Sequence, residues 1–454
     1  MNTSYIKLKP DHLIKFISDF FNKIPDHRAN NKTISLKDTL MSAYAIFSLK
    51  IPSLLKFDED FRKGDTTNLS NLFNIINVPS DTQMREIIDG VNPKYLKPCF
   101  PQLFKAIQRQ KKLEAYEFFR RNNTPYYLMP VDATTYFSSG NIRCKNCIER
   151  NQKGQSARYY HQMFTAAIVH PDLKTVIPIS GEAISNEFGD NKQDSEHKAF
   201  KRFYKRFKSD HPKLKIIMCG DALYSTFPVV NELILDNQLF ILSIKEGYNK
   251  SLFKFMQSRL NTNVVKEITE EEVVGDKVKK NVKRLYRYIN NVQFNKTTGQ
   301  DIEINLLDFY ETVEWECKGE MKKEEKRFTW ATNIYIDEKS IKKIVKGGRS
   351  RWKIENEVFN TIKTKGYNFE HNYGHGNKYL SENFSYLMML AFFIDQILEM
   401  TNKQFIKIME RHKRKIRIWE IFKNIYNFFY LNNFEELFHI AENPDKYKMQ
   451  ANTS

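Results

Sequence analysis

Apolar and polar positions along the chain fall into three successive textures. From the start to about Arg120 the apolar residues recur at helical spacing, most clearly through SLKDTLMSAYAIFSLKIPSLLKF, Ser35 to Phe57. That spacing predicts packed helices, and Ser80 or Asp81 is placed to cap a helix beginning at TQMREIIDGV. From Pro125 the texture changes to strands. PYYLMPVDATTYFSS carries an apolar run ending at Asp132, and HQMFTAAIVHP and KTVIPISGEAIS read as two further strands rich in β-branched residues. A basic helix, DSEHKAFKRFYKRFKSDHP, then leads into LKIIMCGDALYS, a short buried strand ending at Gly220 and Asp221. The helix FPVVNELILDNQ and the strand LFILSIKEG follow, so strand, helix and strand together predict an α/β core.

Between about Lys245 and Phe328 the pattern becomes short alternating strands divided by charged turns, which predicts an inserted antiparallel β subdomain. Helical character returns with RSRWKIENEVFNTIKTKGYNFEHNYGHG, Arg349 to Gly376. The most apolar segment, Tyr386 to Leu398, includes Asp395 and reads as a buried helix; no run reaches bilayer-spanning length. A basic run from Arg411 to Lys423 precedes an aromatic-rich tail. The expected division is a helical N-terminal region (1–122), a first core segment (123–244), the β-rich insertion (245–328), a second core segment (329–398) and a helical basic tail (399–454). The N-terminal helices read equally well as a DNA-binding module or as a packed extension.

Composition changes this picture in one respect. The 454 residues, 41% of them hydrophobic, suffice for two or three domains with a sizeable core, while a formal charge of +18 calls for a polyanionic partner. Double-stranded DNA leads, and an anionic membrane surface is a distant second because the basic residues are not gathered on one amphipathic helix. The N-terminus lacks the apolar stretch of a signal peptide, and five cysteines argue against a disulfide framework, so a cytoplasmic location is expected.

Candidate chemistry sits on three acids. On an unbroken helix Arg351, Glu355, Phe359 and Lys363 would share one face, placing a carboxylate between two cations. A solvated helix laced with ion pairs is the plainer reading of that stretch alone. Asp132 and Asp221, each following an apolar strand, change the balance. If those strands are neighbours, the three carboxylates could hold two divalent ions about 3.5 to 4 Å apart, an arrangement that activates the attacking oxygen and stabilises the leaving oxygen of a phosphodiester. Hard oxygen ligands favour Mg²⁺ or Mn²⁺.

VDATTYFSS, GDALYS and RWKIENEVFNTIK resemble the three catalytic blocks of the DDE transposases of bacterial insertion sequences, in the group with an RNase H-like core and a β-rich insertion before the last acid. The resemblance spans roughly Leu128 to Leu398. It implies that Asp132, Asp221 and Glu355 bind the metal ions, that Arg351 and Lys363 contact DNA phosphates with Trp352 beside them, and that the active DNA complex is at least a homodimer in a bacterial nucleoid. Two positions depart from the group's signature: its tyrosine position falls on Gly348, and Lys363 lies one residue farther from Glu355 than the signature asks. Glu357 is therefore a rival third acid, and a one-residue π-bulge would reconcile Glu355 with Lys363. Two other functions stay open: an RNase H-like nuclease that never joins strands, and an inactive transposase-derived DNA-binding protein.

Weaker signals remain. Cys144 and Cys147 form a CxxC which, with His161 and His170 downstream, could supply a zinc site or be two ordinary thiols. Lys192, Gln193, Asp194 and Glu196 resemble a further block of the same family, with a role in positioning DNA or metal; they also make an ordinary acidic helix start. His371 and His375, among glycines, read as DNA contacts or a plain turn ahead of metal ligands.

Overall fold

The computed structural model describes residues 6–62, 64–150, 156–186, 193–259, 264–275, 278–294 and 302–447. The N-terminal region is helical, as its spacing predicts, with helices Pro10–Phe21, Leu36–Ser48, Leu54–Phe61, Thr67–Phe73, Asp81–Asp89 and Cys99–Arg109. Local chemistry starts several of them. Ser35 Oγ accepts the Asp38 amide, and Ser80 forms a full capping box with Gln83, satisfying amides that a helix start otherwise leaves unpaired.

These first helices and the last ones form one body. Asn68 donates to the carbonyls of Tyr426 and Phe429 at 2.7 and 2.8 Å and accepts the Leu431 amide, while Asp11 accepts the amide of Phe434 at 2.9 Å. Through this body runs the helix Leu380–Thr401. Its 22 residues make it long and apolar enough to cross a membrane, more than the apolar run alone indicated, yet 83% of the apolar window is buried inside the protein. Asp395 is tolerated there because Lys50 Nζ lies 2.7 Å away and Tyr367 donates its hydroxyl to the same oxygen.

The strands are β1 (Glu117–Arg121), β2 (Thr124–Ser139), β3 (Ile148–Arg150), β4 (Arg158–Ile168), β5 (Ile177–Ile184), β6 (Ile216–Gly220), β7 (Leu239–Ser243), β8 (Lys266–Val274), β9 (Lys280–Phe294), β10 (Ile302–Cys317) and β11 (Glu320–Thr332). All join one mixed sheet of order β3-β4-β2-β6-β7-β11-β10-β9-β8, with β1 on β2 and β5 on β4. β2, β6 and β7 run parallel; the other pairings are antiparallel. Continuous apolar runs mark the parallel strands because both faces are covered, and all five residues of β6 are buried.

The stretch expected as an insertion contains the helix Lys250–Arg259 and strands β8 to β11. It continues the core sheet, because Trp330, Ala331 and Thr332 of β11 pair with Ser243, Leu242 and Ile241 of β7. A two-residue turn at Lys318 and Gly319, both at positive φ, joins β10 to β11. The helix Ile341–Arg349 then returns across the sheet on two glycines. A Cβ at Gly348 would lie 2.4 Å from the Trp330 ring, and one at Gly347 would lie 2.9 Å from Ile241 Cδ1.

Candidate active site and a cysteine–histidine cluster

Register brings the two aspartates together. β2 pairs with β6 up to Pro130 and Cys219, and each aspartate lies two residues beyond its member of that last pair. Asp132 therefore lies within β2, still paired with Thr165 of β4, instead of at the strand end expected from sequence. The ladder that stops there is the one to β6. Both acids thus stand just past the point where the parallel β2–β6 ladder ends, on the side where open α/β sheets place their ligand sites.

Arg351 connects Asp132 to the third acid. Its Nη1 lies 3.2 Å from Asp132 Oδ2 and 2.7 Å from Glu355 Oε1, and the side chain is only 11% exposed. Among the described residues no ion pair or hydrogen bond joins Glu357 to this group. The segment Ile354–Phe359 is a π-helix followed by the α-turn Asn360–Thr364, so the bulge that the spacing required is present. The single α-helical face expected for Arg351, Glu355, Phe359 and Lys363 is consequently broken. Phe359 is buried, and Lys363 Nζ sits 2.9 Å from Glu370. Trp352 is half exposed, with the Arg351 guanidinium 5.4 Å from its ring. Gly348 also has its reason here: the Trp330 ring occupies the space that a larger side chain would need.

A fourth carboxylate joins the group. Glu196 opens the helix Glu196–Asp210, receives the Tyr224 hydroxyl and feels the negative charge of Asp221. Burial raises its pKa. Asp132 is pushed up to about 7, chiefly by burial and further by Glu196 and Asp221, with Arg351 pulling the other way. Asp221 Oδ1 accepts the Leu223 amide at 2.9 Å, which fixes the turn after β6. Asp194 is not part of the group: Arg202 holds it through two nitrogens at 2.7 and 3.1 Å, and it accepts the Ser185 amide. Gln193 donates to the Glu149 carbonyl, and Lys192 lies outside the described residues.

The donor set fits a hard divalent ion. It offers carboxylate oxygens only, and burial makes the charged forms of Asp132 and Glu196 costly, a cost that a bound divalent cation would offset. Asp132, Asp221 and Glu355, with Glu196 beside them, are the residues that could hold it.

The second cluster is soft. The ligand atoms of Cys144, Cys147, His161 and His375 all lie within 4.8 Å of one another. His375, which the sequence ranks as a DNA contact or turn residue ahead of a metal ligand, stands with the cluster although 214 residues separate it from His161. His170, the other downstream candidate, is elsewhere, with Asp172 at 3.8 Å and its ring against Phe118. His371 packs edge-on against Tyr373.

No protein-family model matches the chain, and no curated protein matches it.

Proposed function

We propose that the chain is a DNA transposase of the DDE type, cutting at insertion-sequence ends and joining the freed strand to target DNA. The observation that carries this reading is the register that sets Asp132 and Asp221 each two residues beyond the last pair of the parallel β2–β6 ladder, with Glu355 drawn to Asp132 through Arg351. Three further features support it. The order β5-β4-β2-β6-β7, antiparallel in its first pairings and parallel in its last, suits the RNase H-like core that the resemblance implies. β8 to β11 enter between that core and Glu355, and the net charge of +18 suits a duplex partner.

Asp132, Asp221 and Glu355 would hold two Mg²⁺ or Mn²⁺ ions, which when bound supply charge stabilisation to the attacking and leaving oxygens. The chain's own part is placement. β2 and the turn after β6 fix two acids at the sheet, and Glu355, four residues on from Arg351 at the start of the π-turn, meets its guanidinium. Arg351 holds Asp132 and Glu355 together and becomes available to a phosphate when those acids turn to cations. Glu196 adds negative charge behind Asp221, and Tyr224 orients it.

The test is Mg²⁺-dependent nicking of DNA carrying the repeats that flank the gene, followed by strand transfer from pre-cleaved ends. Asp132→Ala, Asp221→Ala and Glu355→Ala should each abolish nicking while DNA binding persists, and Glu357→Ala should cut. A wild type that nicks but never joins strands would make the chain a nuclease. One that binds without cutting would make it a DNA-binding protein.

A further inference from the structure

We propose that Cys144, Cys147, His161 and His375 form a structural Zn²⁺ site that clamps the loop after the Glu355 helix to strand β4 and to the turn between β2 and β3. Zn–S bonds of about 2.3 Å and Zn–N bonds of about 2.0–2.1 Å make a tetrahedron whose ligand-to-ligand edges are about 3.3 to 3.8 Å. Five of the six edges here are 3.5 Å (Cys144 to Cys147), 3.3 and 3.4 Å (each sulfur to His161 Nε2), 3.9 Å (Cys147 to His375 Nδ1) and 3.1 Å (His161 Nε2 to His375 Nδ1). The sixth lies within 4.8 Å. Two thiols and two imidazoles at those separations select zinc over a hard ion, and four protein ligands leave no open position, so the role is structural.

The backbone is shaped for this. The Cys147 amide donates to the Cys144 carbonyl at 3.1 Å, and the Cys144 amide donates to Cys147 Sγ at 3.3 Å, a turn that aims both sulfurs to one side. Asn186 donates to the Cys147 carbonyl at 2.8 Å and braces the turn from behind. His161 is buried on β4, stacked on Tyr136 of β2. His375 stands between Gly374 and Gly376, both at positive φ, and its ring is edge-on to Phe137. The same loop is tied from its other side by Asp89, whose carboxylate accepts the amides of Asn377, Lys378, Tyr379 and Leu380 at 2.8 to 3.0 Å. One clamp thus joins three segments, one of them the strand β4 that pairs with β2 at Asp132.

The experiment is metal analysis of the full chain after dialysis against a weak chelator, with the same measurement on Cys144→Ser, His375→Ala and His375→Cys. The wild type should carry one zinc per chain, and Co²⁺ exchanged into it should give the visible bands of a tetrahedral thiolate site. Cys144→Ser and His375→Ala should lose most of the metal; His375→Cys, which restores four ligands, should keep it and guards against variants that merely misfold. A strong chelator should speed hydrogen exchange at residues 377–380 severalfold in the wild type. Wild-type protein without zinc, or with Cys144 and Cys147 recovered as a disulfide, would overturn the proposal; full zinc with an unchanged cobalt spectrum in His375→Ala would remove His375 from it. None of these readings depends on whether the chain cuts DNA.

Discussion

The acid group and the cysteine–histidine cluster lie on the same strand system but are built on opposite plans. In the cluster the ligand atoms already converge to tetrahedral edges, on a tight turn, a buried strand residue and a glycine-flanked loop. In the acid group the side chains are held apart and balanced by a guanidinium, with Asp132 and Glu196 kept from ionising easily by burial. A preformed soft site suits an ion that stays for the life of the fold. An acid group bridged by an arginine suits ions that come and go with a substrate, because the arginine can trade places with them.

The largest effect expected from this contrast is a clean separation. Asp221→Ala should lose nicking altogether and keep its full zinc content, since among the described residues the hydrogen bonds of Asp221 go to the turn after β6 and none to the cluster. Loss of zinc in that variant would mean that the two sites fold as one. Next comes Arg351→Ala, which removes the link between Asp132 and Glu355. Loss of such a positioning partner costs about 10- to 100-fold in activity or metal affinity. Removing the cation also raises the Asp132 pKa further, so the rising limb of the nicking pH profile should move to higher pH; an unchanged profile would deny Arg351 this role. Arg351→Lys should recover only part of the rate, because an ammonium cannot bridge two carboxylates as a planar fork does.

Sequence carried the acid group further than the cluster, for physical reasons. Asp132 and Asp221 follow apolar runs that buried parallel strands require, so the end of β6 before Asp221 could be read from that pattern, while β2 runs on past Asp132 because it stays paired with β4. The offset of Lys363 from Glu355 implied a π-turn, which is present. What the offset does not carry is where Lys363 ends: the turn shifts it toward Glu370, a contact set by the following loop. Glu196 reads both as part of a further family-like block and as an ordinary helix start, because its neighbours in space, Tyr224 and Asp221, arrive only after the next strand. His375 was hidden for the same reason, with the added disguise of flanking glycines, although two glycines around a histidine are themselves a sign of a backbone shaped to present it. The strands β8 to β11 were legible as antiparallel hairpins, but their fusion to the core sheet rests on three residue pairs with β7 that no local pattern marks.

A stability measurement tests the charge balance without any DNA. Asp132 titrates near 7 in the folded chain, against an ordinary value of 3.8. Below pH 4 both the folded and unfolded chains carry the proton. Between pH 4 and 7 the unfolded chain gives it up and the folded one retains it, so stability falls as pH rises and levels off above 7. With no divalent ion added the cost should reach roughly 2 to 4 kcal/mol. Asp132→Asn should flatten this part of the curve, and a wild type whose stability follows the variant's curve from pH 4 to 7 would contradict the burial argument.

The smallest effect separates DNA contact from fold. Lys363 and Glu370 form a surface pair, Glu370 being well exposed, and such pairs contribute about 0 to 1 kcal/mol. Lys363→Ala should therefore leave thermal stability nearly unchanged. If Lys363 leaves Glu370 for a phosphate when DNA arrives, the plot of log binding constant against log salt should lose about 0.9 of slope, the value for one phosphate contact. Glu370→Gln should act in the opposite sense, freeing the lysine and tightening binding at low salt without altering that slope. Equal slopes for wild type and Lys363→Ala would leave Arg351 as the basic contact on this helix and make Lys363 a partner of the loop alone.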